Sequence, residues 1–283
     1  MTRIHVVTDS GSDLPKEVRE KYNIHVVPLT IQFGEDIYVD GIELSAKAFY
    51  QALKEALVLP STCQPSPADF VKCYESISKP GEHIISVHLS SELSGTYQSA
   101  VLASTMLEDR HIHVLDSKSA SIGIGLVTLA VAEAVQNGAS VEDAVKEGER
   151  VIEEIEVFFV VDTLEYLRRN GRIGAASAIV GSLLNIKPVL TLKDGIVTPY
   201  DKIRGKSRAL KEISDIFKRY LTAHPNRKVR IGITHADSIS EANIIRDELI
   251  SDFDMKDILI EYIGATIGVH VGPGTVALLW YPL

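Results

Sequence analysis

The sequence predicts an α/β protein made of two parts, a parallel α/β sheet domain followed by an α+β domain with antiparallel pairing. Short β-branched runs alternate with helical patterns in the first half of the chain, as expected of a parallel sheet. In the second half, Asp194 and Gly195 separate two apolar runs and favour the tight turn of an antiparallel hairpin. The length of 283 residues suits two domains of ordinary size.

The first half shows both its strands and the starts of its helices. Strands are predicted at the β-branched runs, which are residues 4–8, 24–29, 83–89 and 111–115. Ser66 precedes a proline and then Asp69, a pattern typical of a capped helix. Ser140 begins a second such pattern, which predicts a helix to about residue 155. The intervening helix is predicted over residues 119–136.

The second half begins with the apolar run 157–161, so we place the boundary near residue 156, with domains at 1–156 and 157–283. A helix of small residues is predicted to about Leu184, and the hairpin follows over residues 188–198. The remaining elements are predicted as strands at residues 229–234, 258–263 and 275–281 and a helix over residues 238–250.

Composition and charge narrow the function class. Hydrophobic residues make up 45% of the chain and charged residues 24%, values typical of a globular protein. The net charge of −9 disfavours nucleic acid as a partner. The apolar stretch 122–132 is much shorter than the ~20 residues that span a bilayer, and the N-terminus does not resemble a signal peptide. Only Cys63 and Cys73 are present, so we expect a cytoplasmic protein with no metal or cofactor.

Motifs of nucleotide-binding and hydrolytic enzymes are missing from the sequence. The pair Gly123 and Gly125 lacks the third glycine of a dinucleotide fingerprint and lies inside a helical pattern. There is no Walker loop, no His-Glu-x-x-His motif and no Gly-x-Ser-x-Gly elbow. The Ser-x-x-Lys match at Ser76 occurs without its partner motifs. These motifs therefore give no evidence of catalysis.

Hydroxyl residues are concentrated just after predicted strands and just before predicted helices. Four clusters have this character, at residues 8–12, 61–66, 90–96 and 116–121. The carboxyl ends of parallel strands meet at one edge of a sheet, where helix N-termini favour anions. We therefore expect the clusters to share that edge and to bind a carboxylate or a phosphate, although helix capping is the commoner role of any single hydroxyl.

Thr62, Ser94 and Gly95 are the strongest candidates within these clusters. Nearby glycine or proline fixes the backbone while the two hydroxyls are free to donate, and Gly95 adds an N–H without a side chain. Each charge-assisted hydrogen bond contributes roughly 1.5–3 kcal/mol. No base with an orienting carboxylate can be identified beside either hydroxyl, which disfavours a nucleophilic role.

His270 lies between apolar residues in a predicted glycine-rich loop over residues 264–275. One interpretation is a core histidine whose polar atoms are satisfied by neighbours. The other is a donor to an anion, or to a hydroxyl that holds the anion. Both interpretations stay open at this point.

Basic residues are concentrated in residues 168–208. This segment carries nine lysines and arginines against Asp194 and Asp201, a charge of +7 in a chain of −9. It is either a solvated surface or a docking face for an acidic partner or a transferred phosphate.

The residues that carry these signals resemble the DegV family of fatty-acid-binding proteins, which include the binding subunits of bacterial fatty acid kinase. The matching motifs cover nearly the whole chain and include Val7-Thr8-Asp9-Ser10, Tyr38-Val39-Asp40-Gly41, Ser61-Thr62-Cys63-Gln64-Pro65-Ser66, Leu93-Ser94-Gly95-Thr96-Tyr97, Val114-Leu115-Asp116-Ser117, Gly171-Arg172-Ile173, Leu184-Asn185-Ile186-Lys187-Pro188 and residues 270–274. One departure is Cys63, where the family often has serine; the neighbouring Thr62 is retained.

The resemblance implies two α/β domains with one long-chain fatty acid between them. Thr62, Ser94 and the Gly95 N–H would hold its carboxylate, with support from His270. Arg172, and with less certainty Arg204, would face a kinase or an acyl phosphate. The protein would present the fatty acid to a separate ATP-dependent fatty acid kinase and carry the acyl phosphate toward phospholipid synthesis, meeting an acyltransferase or a membrane surface transiently. It would not itself be the catalyst.

A second hypothesis is an enzyme that acts on a small phosphorylated or carboxylated substrate at the same hydroxyl-rich edge. It predicts turnover without a second protein, and a larger effect of Thr62 or Ser94 replacement on rate than on affinity. The carrier hypothesis predicts instead that protein purified from cells contains a fatty acid. It also predicts that Arg172→Ala impairs phosphorylation and leaves lipid binding nearly intact.

Overall fold

A computed structural model of the chain describes residues 3–180, 186–253, 255 and 258–283. Within these residues the strands form a four-stranded sheet, a six-stranded sheet and a small three-stranded sheet. The predicted fold class is confirmed, because the first large sheet is parallel and the second is mostly antiparallel. Among the described helices, none combines the length and the hydropathy that crossing a bilayer requires.

The strands of the N-terminal half are β1 Ile4–Asp9, β2 Ile24–Val27, β3 Thr30–Phe33, β4 Asp36–Val39, β5 Ser61–Cys63, β6 His83–His88 and β7 His111–Asp116. Four of them form the parallel sheet, in the order β2-β1-β6-β7. The helices of this half are α1 Lys16–Tyr22, α2 Ala46–Glu55, α3 Pro67–Ile77, α4 Thr96–Thr105, α5 Ile122–Gln136 and α6 Val141–Glu154. Consecutive residues such as Val6 and Val7 are both buried, because helices cover both faces of this sheet.

Side-chain caps confirm two of the predicted helix starts. The Ser66 hydroxyl accepts from the Asp69 amide at 3.3 Å, and the Asp69 carboxylate accepts from the Ser66 amide at 2.8 Å, which completes a capping box. The Ser140 hydroxyl caps α6 by accepting from the Asp143 amide at 3.1 Å. The helix predicted from residue 119 begins three residues later, because Lys118 and Ser121 both have positive φ, at 49° and 53°, and helical backbone needs negative φ.

Thr62 lies in a separate sheet. The strands β4-β3-β5 form a small antiparallel sheet, in which Thr62 on β5 is paired with Ile31 on β3. The prediction that all four hydroxyl clusters share the edge of the parallel sheet is therefore wrong for residues 61–66. The other three clusters do follow β1, β6 and β7. A strand of three residues is too short to show alternation in a sequence.

The C-terminal half builds the six-stranded sheet in the order β10-β9-β8-β13-β11-β12. Its elements are β8 Glu156–Val160, α7 Glu165–Arg169, β9 Ile186–Lys193, β10 Ile196–Arg204, α8 Lys206–Ala223, β11 Val229–His235, α9 Ile239–Phe253, β12 Ile258–Tyr262, α10 Ala265–Val271 and β13 Val276–Pro282. The predicted hairpin is confirmed: Asp194 and Gly195, with φ of 50° and 81°, join β9 to β10 as a two-residue turn.

Two predictions in this half differ from the structure. The small-residue helix predicted to about Leu184 is a short 3₁₀ helix over Gly174–Ile179, and Leu184 itself lies outside the described residues. The predicted loop at residues 264–275 contains α10, whose apolar residues are buried against neighbouring elements. Tertiary packing thus overrides the loop signal of the flanking glycines.

The two faces of the six-stranded sheet have different partners. On the first face, Phe158, Leu278 and Trp280 pack in a closed core with residues of α8 and α9. On the second face, Val157 and Leu279 join a core shared with the N-terminal half. Helix α5 packs on β11 at this second face and is buried over most of its length. We call these the packed face and the open face.

Candidate functional site

A cavity lies between the open face and the N-terminal half. It has about 780 Å³ of space not occupied by protein atoms, its mouth included. Its lining crosses five neighbouring strands at Val197, Leu192, Val157, Phe159, Ala277, Leu279 and Thr234. With adjacent strands about 4.8 Å apart, that crossing is ~19 Å long. Further apolar lining comes from Leu29, Leu89, Leu93, Ala120, Leu167, Ile263, Ile267 and Val271.

Thr62 and His270 meet in the wall of this cavity. The pairing of β5 with β3 presents Thr62 to α10, and α10 carries His270 in its last turn. The Thr62 hydroxyl and His270 Nε2 are 3.0 Å apart and hydrogen-bonded. Two residues separated by 208 positions in the chain are thus brought together, as the sequence hypothesis requires.

His270 is held in its neutral form. Burial, with a further contribution from the nearby Arg172 guanidinium, lowers the pKa of His270 to about 4. Its Nδ1 atom is buried and has no hydrogen-bond partner among the described residues. A buried lone pair is tolerated better than a buried N–H, so the geometry favours the tautomer that carries hydrogen on Nε2. This histidine can then donate to the Thr62 oxygen and leave the threonine hydrogen free for a ligand.

Ser94 and Gly95 lie at the start of α4. The Ser94 hydroxyl lines the cavity and contacts the Thr96 hydroxyl at 2.9 Å. Gly95 is the residue before the first helical position and has no side-chain cap. A Cβ at Gly95 would lie 2.3 Å from Gln64 Oε1, so a larger residue here would displace the Gln64 amide. Its amide has no hydrogen-bond partner in the part of the chain that the structure describes.

Arg172 also lines the cavity, half-buried. Its Nε donates to the Leu93 carbonyl at 3.0 Å and its Nη1 to the Asn170 carbonyl at 2.8 Å. The Leu93 carbonyl is adjacent in the chain to Ser94, so the guanidinium is fixed next to the candidate hydroxyl. We call Thr62, Ser94, Arg172 and His270 the head cluster.

Arg172 is on the β10 side of the cavity. Gly174, two residues after Arg172, packs so closely on β10 that a Cβ there would lie 2.6 Å from the Val197 carbonyl oxygen. Arg204, by contrast, is exposed at the end of β10 and is not among the cavity-lining residues. The structure thus separates the two arginines that the resemblance assigned to one face.

Much of the basic segment is neutralised by acids outside it. Arg168 and Arg169 pair with Glu165, and Lys206 pairs with Asp162 at 3.1 Å. These acids were not counted in the +7 excess because they precede the segment in the sequence. The remaining exposed bases with no ion pair among the described residues are Lys193, Lys202, Arg204 and Arg208.

Sequence reasoning missed further polar residues of the cavity. Ser121, Thr234, Thr266 and Thr275 line it with their side chains nearly inaccessible to solvent. Ser121 does belong to the cluster 116–121, but Thr234 ends an apolar strand run and is marked by nothing in its neighbourhood. Its one signal is that a polar residue occupies a position of β11 that faces the cavity, and the structure is needed to see that the position faces the cavity.

The first hydroxyl cluster has a structural role. The buried Asp9 carboxylate accepts from the amides of Gly11 and Leu89 and contacts His88 Nδ1 at 3.0 Å. None of these residues except Leu89 lines the cavity. Capping therefore explains this cluster, whereas Thr62, Ser94 and Ser121 of the other three clusters face the cavity.

The fold and the site define a protein with a long apolar cavity and a compact group of polar atoms at one side of it. The sequence matches the family model described as "Uncharacterised protein, DegV family" over residues 3–283. Protein DegV of Bacillus subtilis is 37% identical over 278 residues, 98% of each chain. The chain belongs to the DegV family.

Solved structures of similar chains extend this comparison. A DegV family protein from Thermus thermophilus, whose structure concerns fatty acid binding, has a TM-score of 0.93 and 38% identity over 99% of this chain and 100% of that one. A stearic-acid-binding protein from Eubacterium ventriosum has a TM-score of 0.91 and 27% identity over 99% of this chain and 98% of that one.

Proposed function

We propose that this protein binds one long-chain fatty acid in the cavity, with the carboxylate at the head cluster. The observation that carries the proposal is the joining of Thr62, Ser94, Arg172 and His270 on one side of a long apolar space. Fatty acid binding by the similar proteins from T. thermophilus and E. ventriosum supports it.

The energetics of the site suit an acyl chain. Burial of ~14 methylenes at roughly 0.8 kcal/mol each gives on the order of 11 kcal/mol of gross driving force. Much of this is offset by lost freedom and by desolvation of the carboxylate. Thr62, Ser94 and the Gly95 amide reduce the second cost, because they donate hydrogen bonds to the carboxylate.

The head cluster suits holding an acid better than reacting with it. His270 contacts the Thr62 hydroxyl and, among the residues that the structure describes, no carboxylate that could stabilise its protonated form. Its pKa of about 4 makes it a weak base, and general bases work best with a pKa near the operating pH. We therefore propose a carrier, and the chemistry on the carboxylate falls to a separate ATP-dependent fatty acid kinase.

In this proposal the acyl phosphate formed by the kinase is carried onward toward phospholipid synthesis. Arg172 would then contact the new phosphate, because an arginine fork suits phosphate oxygens. Arg204 would belong to the exposed basic surface that the kinase contacts.

Direct measurement of the bound lipid tests the first part. Protein purified from cells should release about one fatty acid per chain on solvent extraction and mass spectrometry. Delipidated protein should bind octadecanoate, and Thr62→Val should weaken that binding about tenfold through the loss of one charge-assisted hydrogen bond. Thr191→Val is the matched control, since Thr191 is paired with Phe158 on the packed face. Delipidated protein with no affinity for any long-chain fatty acid would refute the proposal.

Arginine variants test the second part. With a fatty acid kinase and ATP, Arg172→Ala should lower acyl phosphate formation at least tenfold while the fatty acid affinity changes less than about threefold. Arg204→Ala should have a smaller effect on formation, through docking alone. If Arg172→Ala instead empties the cavity, its assignment to the phosphate is wrong.

A further inference from the structure

Two buried hydroxyls in the cavity lie away from the head cluster. Ser121, just before α5, and Thr234, on β11, both line the cavity, with 5% and 1% of their surfaces exposed. Their oxygens are 3.3 Å apart. We call them the hydroxyl pair.

The hydroxyl pair and the head cluster lie on different elements of the cavity wall. Ser121 precedes α5 and Thr234 is on β11, whereas the head cluster lies on β5, on α10, at the start of α4 and after α7. No hydrogen bond joins the two groups among the described residues. A carboxylate at the head cluster therefore leaves the hydroxyl pair to the acyl chain.

The hydrogens of both hydroxyls are already used. The Ser121 hydroxyl donates to the Asp13 carboxylate at 2.5 Å, and the Thr234 hydroxyl donates to the Glu261 carbonyl at 3.1 Å. A hydroxyl has one hydrogen and two lone pairs, so each oxygen retains capacity to accept. The cavity wall thus presents two acceptors to the acyl chain.

The backbone of Ser121 is strained. Its φ of 53° and ψ of −141° lie in a region that is unfavourable for any residue except glycine. Such strain persists only where surrounding structure enforces it, and it is concentrated at ligand sites. Glycine would relieve the strain but would lack the hydroxyl that contacts Asp13 and Thr234.

We propose that the hydroxyl pair receives a hydroxyl group carried by the acyl chain, so that the ligand class of this protein includes hydroxylated long-chain fatty acids. This inference rests on the proposed function. A chain hydroxyl can donate to either Ser121 or Thr234, which offsets the cost of removing it from water. A keto group at the same point, which can only accept, would face two acceptors and gain nothing.

Binding of octadecanoic acid and its monohydroxy isomers to the delipidated protein tests the inference. The hydroxyl is moved stepwise from the middle of the chain to its end. At one position the hydroxylated acid should bind at least as tightly as octadecanoate, although the hydroxyl must leave water. The corresponding keto acid should bind about tenfold more weakly than this isomer.

Variants separate recognition from structure. Thr234→Val should lower the affinity for the best hydroxylated isomer about tenfold relative to the affinity for octadecanoate. Ser121→Gly should shift this ratio of affinities in the same direction, because it removes the second acceptor. Thr191→Val, on the packed face, should change neither affinity.

Two outcomes would overturn the inference. If octadecanoate binds and every hydroxylated isomer binds more weakly, the hydroxyl pair is not a recognition site and the proposed function is untouched. If Thr234→Val changes the affinities for octadecanoate and for the best hydroxylated isomer by the same factor, the hydroxyl pair affects binding through the shape of the cavity. Absence of binding by octadecanoate and all isomers would instead refute the proposed function as well.

Discussion

The packed face and the open face of the six-stranded sheet are made by alternate residues of the same strands. On the packed face, Trp280 lies between Phe158 and Phe217, with ring centroids 5.5 and 4.9 Å away. On the open face, its chain neighbour Leu279 borders the cavity. One face uses its apolar surface for folding, and the other leaves part of that surface for a ligand.

This difference shows how a cavity is maintained in a stable protein. Side chains that alternate along a strand point to opposite faces, so one strand can contribute to a close-packed core and to a binding site without compromise between them. Stability and affinity should therefore respond to different residues of β8 and β13. Three predictions test that separation, in order of expected effect.

The largest effect is expected on the packed face. Trp280→Ala should reduce the free energy of unfolding by about 3–5 kcal/mol, because an aromatic side chain with less than 2% exposure would leave a void among its ring neighbours. Urea denaturation of the ligand-free protein measures this. Leu279→Ala, on the open face of the same strand, is the control and should cost less than half as much, since its site already borders empty space. Equal losses would mean that the two faces do not differ.

The next effect concerns affinity. Ala277→Leu adds three carbons to the cavity wall between Phe159 and Thr234, its neighbours on β8 and β11. Overpacking costs about 1–3 kcal/mol, here only in the ligand-bound state, so octadecanoate should bind roughly tenfold to a hundredfold more weakly. The unfolding free energy of the ligand-free protein should be unchanged or higher. A stability loss without an affinity loss would show that the space at Ala277 is not used by the ligand.

The smallest effect is a pH dependence on the open-face side. Burial and Arg172 lower the pKa of His270 from 6.5 to about 4, so the unfolded chain takes up this proton before the folded protein does. The stability of the ligand-free protein therefore falls as the pH decreases from about 6.5 to about 4, and this contribution is constant below that range.

His270→Gln keeps a side-chain N–H near Thr62 but cannot titrate. Between pH 7 and pH 4 the unmodified protein should lose on the order of 2 kcal/mol more unfolding free energy than the variant. Urea denaturation at both pH values gives the difference, in which titration of other groups cancels. If the unfolding free energy falls by the same amount in both proteins between pH 7 and pH 4, His270 is not held in its neutral form in the folded protein.

The large sheets could be predicted from sequence because their signals are local. The β-branched runs of β1, β2, β6 and β7 and the Asp194-Gly195 turn each occupy a few consecutive residues. The small sheet and α10 were missed for the opposite reason. A three-residue strand and a seven-residue helix depend on packing against distant segments, which no local pattern records.

Some features of the candidate site were likewise predictable from local sequence patterns, and others were not. Thr62 and Ser94 were identified from hydroxyl clusters beside glycine or proline, and both line the cavity. The hydrogen bond between Thr62 and His270 was not predictable from letters, because it joins β5 to α10 across the whole chain. The inaccessible Thr234 was missed because one hydroxyl in an apolar strand is indistinguishable from a satisfied core residue.

Helix α5 sets the size of the folding unit. It is apolar almost throughout. Its Ile122 side chain packs so closely on β11 that a Cβ added at Gly232 would lie 3.0 Å from Ile122 Cγ2. It also packs on β1 and β6 of the other sheet. A fragment ending near residue 156 would leave this helix with one side bare in water, a surface prone to self-association. The lobes that enclose the cavity are thus distinct in topology but mutually dependent for solubility.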